Sequence, residues 1–216
     1  MEYGILSENR DHGDCKTIFY IDGGDVSDIR IKPCFKREMF EENGSVFPTG
    51  FGIPKSEILP INLDAKDRLI PKTTPDIELM HEFGTKPKVH FHPTLSRYAI
   101  ENEKDYIEDI AKSWFFPVTQ RGGWDSLRPY QGVAYGTLVL FRDYHQKPPL
   151  CSPQNFPCLT YSSVQELKDV MNWLLVDNEP SSEYYDMLSA QRVWLIENGT
   201  CEARALSLME KIIELV

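Results

Sequence analysis

The sequence predicts an α+β fold: a mostly antiparallel sheet with one packed helix, closed by a three-helix layer at the C-terminus. Three observations lead there. Short runs of β-branched and aromatic residues, separated by glycine- and proline-rich turns, fill the first 146 residues, as strands joined by tight connections do. Within that part only residues 102–114 show clean, sustained helical spacing. Beyond a proline-rich connector, apolar residues recur every three or four positions, the pattern of buried helix faces.

Taken in order, residues 17–21 (TIFYI) form a strand that stops at Asp22-Gly23-Gly24. Residues 28–32 (DIRIK) alternate, with Ile29 and Ile31 on one face, and the two runs are expected to pair as a hairpin. Residues 34–40 read as strand or short helix. Glycine and proline interrupt 44–60 too often for regular structure, but Phe47, Phe51 and Ile53 should pack onto the core. Residues 61–74 read as extended chain with turns. Residues 75–83 spell a short helix with Pro75 at its first position and Gly84 as its stop.

Residues 88–92 alternate as a strand, with Val89 and Phe91 on one face and His90 and His92 on the other. Asn102, with Asp105 three residues on, starts a helix. Tyr106, Ile107, Ile110, Ala111 and Trp114 make its inner face, Asp109 lies on the outer face, and Pro117 ends it. A loop over 119–132 follows. Residues 133–141 are the most apolar run and read as a central strand buried on both faces.

Residues 147–160 form a proline-rich connector between a sheet-centred core (1–146) and a helical layer (161–216), all within one domain. Ser163 and Glu166 box the first of the C-terminal helices, whose stripe is Val164, Leu167, Val170, Met171 and Leu174. The second covers about 183–197 and stops at Asn198-Gly199. Thr200 caps the third, with Ala205, Leu206, Met209, Ile212, Ile213 and Val216 expected inward.

A chain of 216 residues can bury a core without help from disulfides or metal. Its net charge of −10 repels phosphate backbones, so nucleic acid is not expected as a partner; an acidic surface suits a basic protein instead. The 5 cysteines are odd in number and irregular in spacing, which predicts free thiols in a reducing compartment. The first residues carry no apolar signal core and no run is long enough to span a bilayer. A cytoplasmic location without membrane contact is the expectation.

The candidate site residues fall in two groups. The loop Gln120–Tyr130 gathers Arg121, Trp124, Asp125, Arg128 and Tyr130, the residue types that dominate binding hot spots. Gly122-Gly123 would let the backbone turn and expose Trp124; in the competing reading Trp124 packs into the core and Arg128 pairs with Asp125 or a helix end. His90 and His92, at i and i+2 of one strand, form the second group. They face one side and could share a metal with His145, Asp143 or His81 as third ligand, in a metal-dependent hydrolase.

His92-Pro93-Thr94 fits one half of the two-histidine phosphoesterase pattern, but the chain has no second His-x-Thr or His-x-Ser. No phosphate-cradling glycine motif and no nucleophile elbow occur, and no cofactor is implied. The function expected from these residues is a protein that binds and inhibits a partner protein through the aromatic and arginine loop and an acidic face. By composition it is analogous to toxin-immunity proteins and to phage- or virus-encoded antagonists. The metal-dependent hydrolase is the alternative.

Overall fold

The most apolar run of the chain, residues 133–141, begins as the end of a helix and becomes a strand only at Leu138. A computed structural model describes residues 20–22, 34–40, 44–74, 76–85, 103–120 and 122–215. In it, β4 (Phe115–Val118), α3 (Leu127–Ala134) and β5 (Leu138–Arg142) follow one another as a strand–helix–strand unit. Gly136, at φ +78°, turns the chain between α3 and β5. β5 then pairs in parallel with β4 on one side and with β6 (Leu159–Tyr161) on the other.

The expected antiparallel sheet is therefore corrected: β4–β5–β6 is all parallel. So is the second three-stranded sheet, β1 (Tyr20–Asp22), β2 (Cys34–Lys36) and β3 (Val46–Pro48). Residues 28–32, the expected hairpin partner, lie outside the described residues, and β1 pairs with β2 instead. The only antiparallel pair among the described residues is the two-residue ladder of β7 (Leu175–Val176) and β8 (Glu179–Pro180).

Local chemistry explains why the strand–helix–strand unit is hard to read. Pro117 sits within β4, where it supplies no N–H. β4 tolerates it because β5 pairs along one side only; on the other, residues 67–69 meet just the chain leading into the strand and its first residue. α3 is only eight residues and contains both Pro129 and Gly132. Gly132 is there for contact: a Cβ would lie 2.5 Å from the Phe116 ring and 2.7 Å from a Val139 methyl. The helix thus reaches the sheet at glycine distance.

Both faces of β5 are covered. Val139 and Phe141 join Phe116, Val118, Tyr130, Val133 and Trp194 on one face. Leu138 and Leu140 join Phe115, Tyr161, Leu167, Tyr184 and Leu188 on the other. The second face is built from α4 (Val164–Leu174) and the start of α5 (Ser182–Asn198). The cap signals expected in this part hold: Ser163 Oγ accepts from Glu166 N–H, and Thr200 Oγ1 from Ala203 N–H. α1 (Ile77–Phe83) starts two residues later than expected, with Asp76 as its cap.

α5 places Leu188 on one side of the sheet and Trp194 and Leu195 on the other. Between them, the amide of buried Gln191 accepts from Val139 N–H at 2.9 Å and donates to Val139 C=O at 2.8 Å. It occupies the stretch of β5 that β6, which starts pairing at Leu140, does not reach. A side-chain amide stands in for a strand.

Gln191→Leu would leave that N–H and C=O buried and unpaired, each costing about 1–3 kcal/mol. We expect a loss of about 3 kcal/mol in urea unfolding with an unchanged denaturant slope. A loss under about 1 kcal/mol would show that the amide is not needed to complete β5.

Candidate functional site

The aromatic loop turns its largest side chains inward. Trp124 is 6% exposed and packs beside Phe141, while Asp125 and Tyr130 are buried. Arg121 lies outside the described residues. Arg128 does not close on Asp125; its guanidinium lies 4.8 Å above the Phe116 ring. Asp125 instead anchors a buried polar network. Its carboxylate accepts from Tyr130 Oη at 2.7 Å and from Phe51 N–H at 2.8 Å, with Arg37 Nη1 at 3.7 Å. Its own N–H donates to Glu38 Oε1 at 2.7 Å, and Arg37 donates to its C=O at 2.9 Å. Arg204, at the start of α6 (Cys201–Leu215), donates to Tyr130 Oη and Phe51 C=O.

This network joins the 36–38 segment, the 50–52 turn, the loop before α3 and the start of α6. Each partner has a structural task, so its buried charges position the backbone.

Burial is the main cause that raises the Asp125 carboxyl to about 6, against the pull of Tyr130, Phe51 N–H, Arg37 and Arg204. The folded value lies above the unfolded one, so the fold holds a proton that the unfolded chain releases between about pH 4 and pH 6. The stability from this group is present below about pH 4 and is lost as pH rises through 6. Asp125→Asn removes the titration. From pH 4 to pH 7 the wild type should lose about 2 kcal/mol more than the variant, read from chemical denaturation at each pH. Parallel pH profiles would contradict the assignment.

Lys66 is a second perturbed group. Burial, and then Arg192, bring its amine down to about 7, a value suited to proton transfer. Yet its Nζ donates to Ser113 C=O and Gly136 C=O at 2.7 Å and to Thr137 Oγ1 at 3.2 Å. These groups precede β4 and β5, so the lysine plugs the amino edge of the sheet. Asp109, expected on the outer face of α2 (Glu103–Ala111), is likewise structural. It accepts from Lys72 N–H, Thr73 N–H and Thr73 Oγ1 and pairs with Arg68 at 2.7 Å.

The opposite, carboxyl edge holds groups with less to do. β4, β5 and β6 end there together, at Val118, Arg142 and Tyr161. By connectivity α3 and α4 begin there, so both helices aim their positive ends at one place. Ser163 caps α4, whereas Ser126 at the N-cap of α3 makes no side-chain cap bond. Arg142 donates to Glu78 at 2.9 Å and Asp76 at 3.4 Å, both at the start of α1.

Asp143 follows Arg142 in the left-handed region, at φ 53°, a conformation that costs a non-glycine residue energy and clusters at ligand sites. Tyr161 is 2% exposed and its hydroxyl has no hydrogen-bond partner among the described residues. Burial, then the neighbouring Asp76 carboxylate, push that hydroxyl well above the usual phenol range, while Arg142 and Arg128 pull the other way.

Of the metal candidates, His90 and His92 lie outside the described residues. His145 is exposed on the 3-10 turn after β5, and His81 is exposed on α1. Among the described residues no three His, Cys, Asp or Glu side chains converge as a metal site, and no helix is long and apolar enough to cross a membrane. No family model matches the chain, and no curated protein is similar to it.

The carboxyl-edge residues were out of reach of sequence reasoning, apart from Arg128 and Asp143, the latter named there only as a possible metal ligand. Arg142 and Tyr161 have no motif, and they become neighbours only when β5 and β6 pair in parallel. The one local signal was the polar pair Arg142-Asp143 closing an apolar run.

Proposed function

We propose that the protein binds a small phosphorylated, hydroxyl-bearing molecule at the carboxyl edge of its parallel sheet. The observation that carries this reading is the buried, unpartnered Tyr161 hydroxyl at the edge where Arg142, Arg128 and the start of α3 gather. An unmade buried hydrogen bond costs about 1–3 kcal/mol, and a fold retains it where a ligand completes it. Guanidinium groups and first-turn N–H groups suit a phosphate. Asp76 and Asp143, beside them, suit the hydroxyls of a sugar or ribose as acceptors. In open parallel sheets the crevice beyond the carboxyl ends is where ligands bind.

A panel of nucleoside diphosphates and sugar phosphates, titrated by calorimetry, tests the reading. Tyr161→Phe separates binding from folding. Without ligand the variant should be as stable as wild type or up to about 1 kcal/mol more stable, because it removes an unsatisfied buried group. Its affinity for the compound that binds should fall about tenfold, the worth of one hydrogen bond. Unchanged affinity, or no binding anywhere in the panel, would end this proposal.

A partner protein is the second reading, favoured by a different observation from the one first expected. The binding surface is the outer face of α6, which nothing among the described residues covers.

A further inference from the structure

We infer that the outer face of α6 docks a basic amphipathic helix of another protein; this rests on the partner-protein reading and is independent of the carboxyl-edge ligand. α6 was expected to turn Leu206, Met209 and Ile213 into the core. Instead they are 60%, 58% and 73% exposed, and no residue of the helix is fully buried. Spaced three and four apart, the three side chains form one stripe.

The helix is fixed from its other side. Cys201 N–H donates to Ile53 C=O, Arg204 reaches Phe51 C=O and Tyr130 Oη, and Lys211 sits over the Phe47 ring. Both cations of α6 are thereby turned away from the stripe. Two of its carboxylates are not: Glu202 and Glu210 are exposed along it, while Glu214, also exposed, pairs with Lys211 at 2.7 Å.

An apolar seam with acidic flanks selects its occupant by charge. A second copy would bring glutamates against glutamates, which destabilises a helix pair. An anionic bilayer is repelled for the same reason. A helix with apolar residues at i, i+3 and i+7 and flanking lysine or arginine satisfies both parts of the surface.

The test uses the full chain and two synthetic 18-residue helical peptides. One carries leucine at heptad spacing with lysine flanks; the other has glutamate in place of lysine. Fluorescence anisotropy gives each affinity. We expect the lysine peptide to bind, more weakly as salt rises, and at least tenfold more weakly to the Leu206→Ser, Met209→Ser, Ile213→Ser triple variant. Glu202→Gln with Glu210→Gln should weaken it several-fold. All five side chains are exposed, so melting temperatures should stay at the wild-type value.

Equal affinity for wild type and the serine variant would mean unspecific charge attraction and overturn the proposal. Tighter binding of the glutamate peptide would overturn the basic partner while leaving the surface reading in place. Binding of neither peptide would reject both. A dimer by light scattering that the serine variant dissolves would assign the face to a second copy and overturn the proposal as well.

Discussion

A parallel strand buried on both faces has to be completed on both edges too, and β5 is where this fold meets that demand. Its alternating side chains feed two apolar clusters, so neither face can be given up to water. β4 completes one edge. β6 is too short to complete the other, and Gln191 supplies the missing pair of hydrogen bonds. That requirement sets the course of α5, which must cross the open edge of the strand. A helix in that position buries residues on either side of the sheet, so it cannot have a single apolar stripe.

The same demand separates the two ends of the sheet. At the amino edge, Lys66 ties together the backbone that leads into β4 and β5. At the carboxyl edge the helices begin, and Asp76, Glu78 and Asp143 gather around Arg142. One end is closed by its own chain. The other keeps a buried hydroxyl, that of Tyr161, without a partner among the described residues. This asymmetry is what marks out the proposed site without any reference to motif, because it follows from where strands stop and helices start.

The buried network around Asp125 has a different use. Arg37, Glu38, Tyr130 and Arg204 hold the loop ahead of α3 from several directions. Ion pairs removed from water are costly unless each group is fully bonded. Here most contacts run to backbone groups, which fixes where α3 starts and hence where Arg128 and the helix N-terminus point. Trp124, which as a residue type suggests a binding anchor, is spent on the core beside Phe141.

Several helix ends and one helix face were legible in the sequence. Ser163 with Glu166, Thr200, Gly84 and the stripe of Leu167, Met171 and Leu174 each act within one or two turns, and local signals are sufficient for local structure. The free state of the cysteines among the described residues agrees with their irregular spacing. Strand direction was not legible. Whether two runs pair in parallel depends on what crosses between them, and the crossover helix α3 is hidden by its own Pro129 and Gly132. The two glycines and the tryptophan of the 122–124 segment suit an exposed turn and a buried one equally well. Leu206, Met209 and Ile213 read as core because spacing reports that a face is apolar and not what covers it. By itself, then, the sequence determined the caps of α4 and α6, the ends of α1 and α5 and the acidic balance, all of which depend on neighbours along the chain; the end of α2 at Ala111 and the whole of α3 it did not. Parallel order, the burial of Trp124 and Asp125, the meeting of Arg142 with Tyr161 and the uncovered face of α6 were decided only by the tertiary structure, because each depends on contacts between segments far apart in sequence.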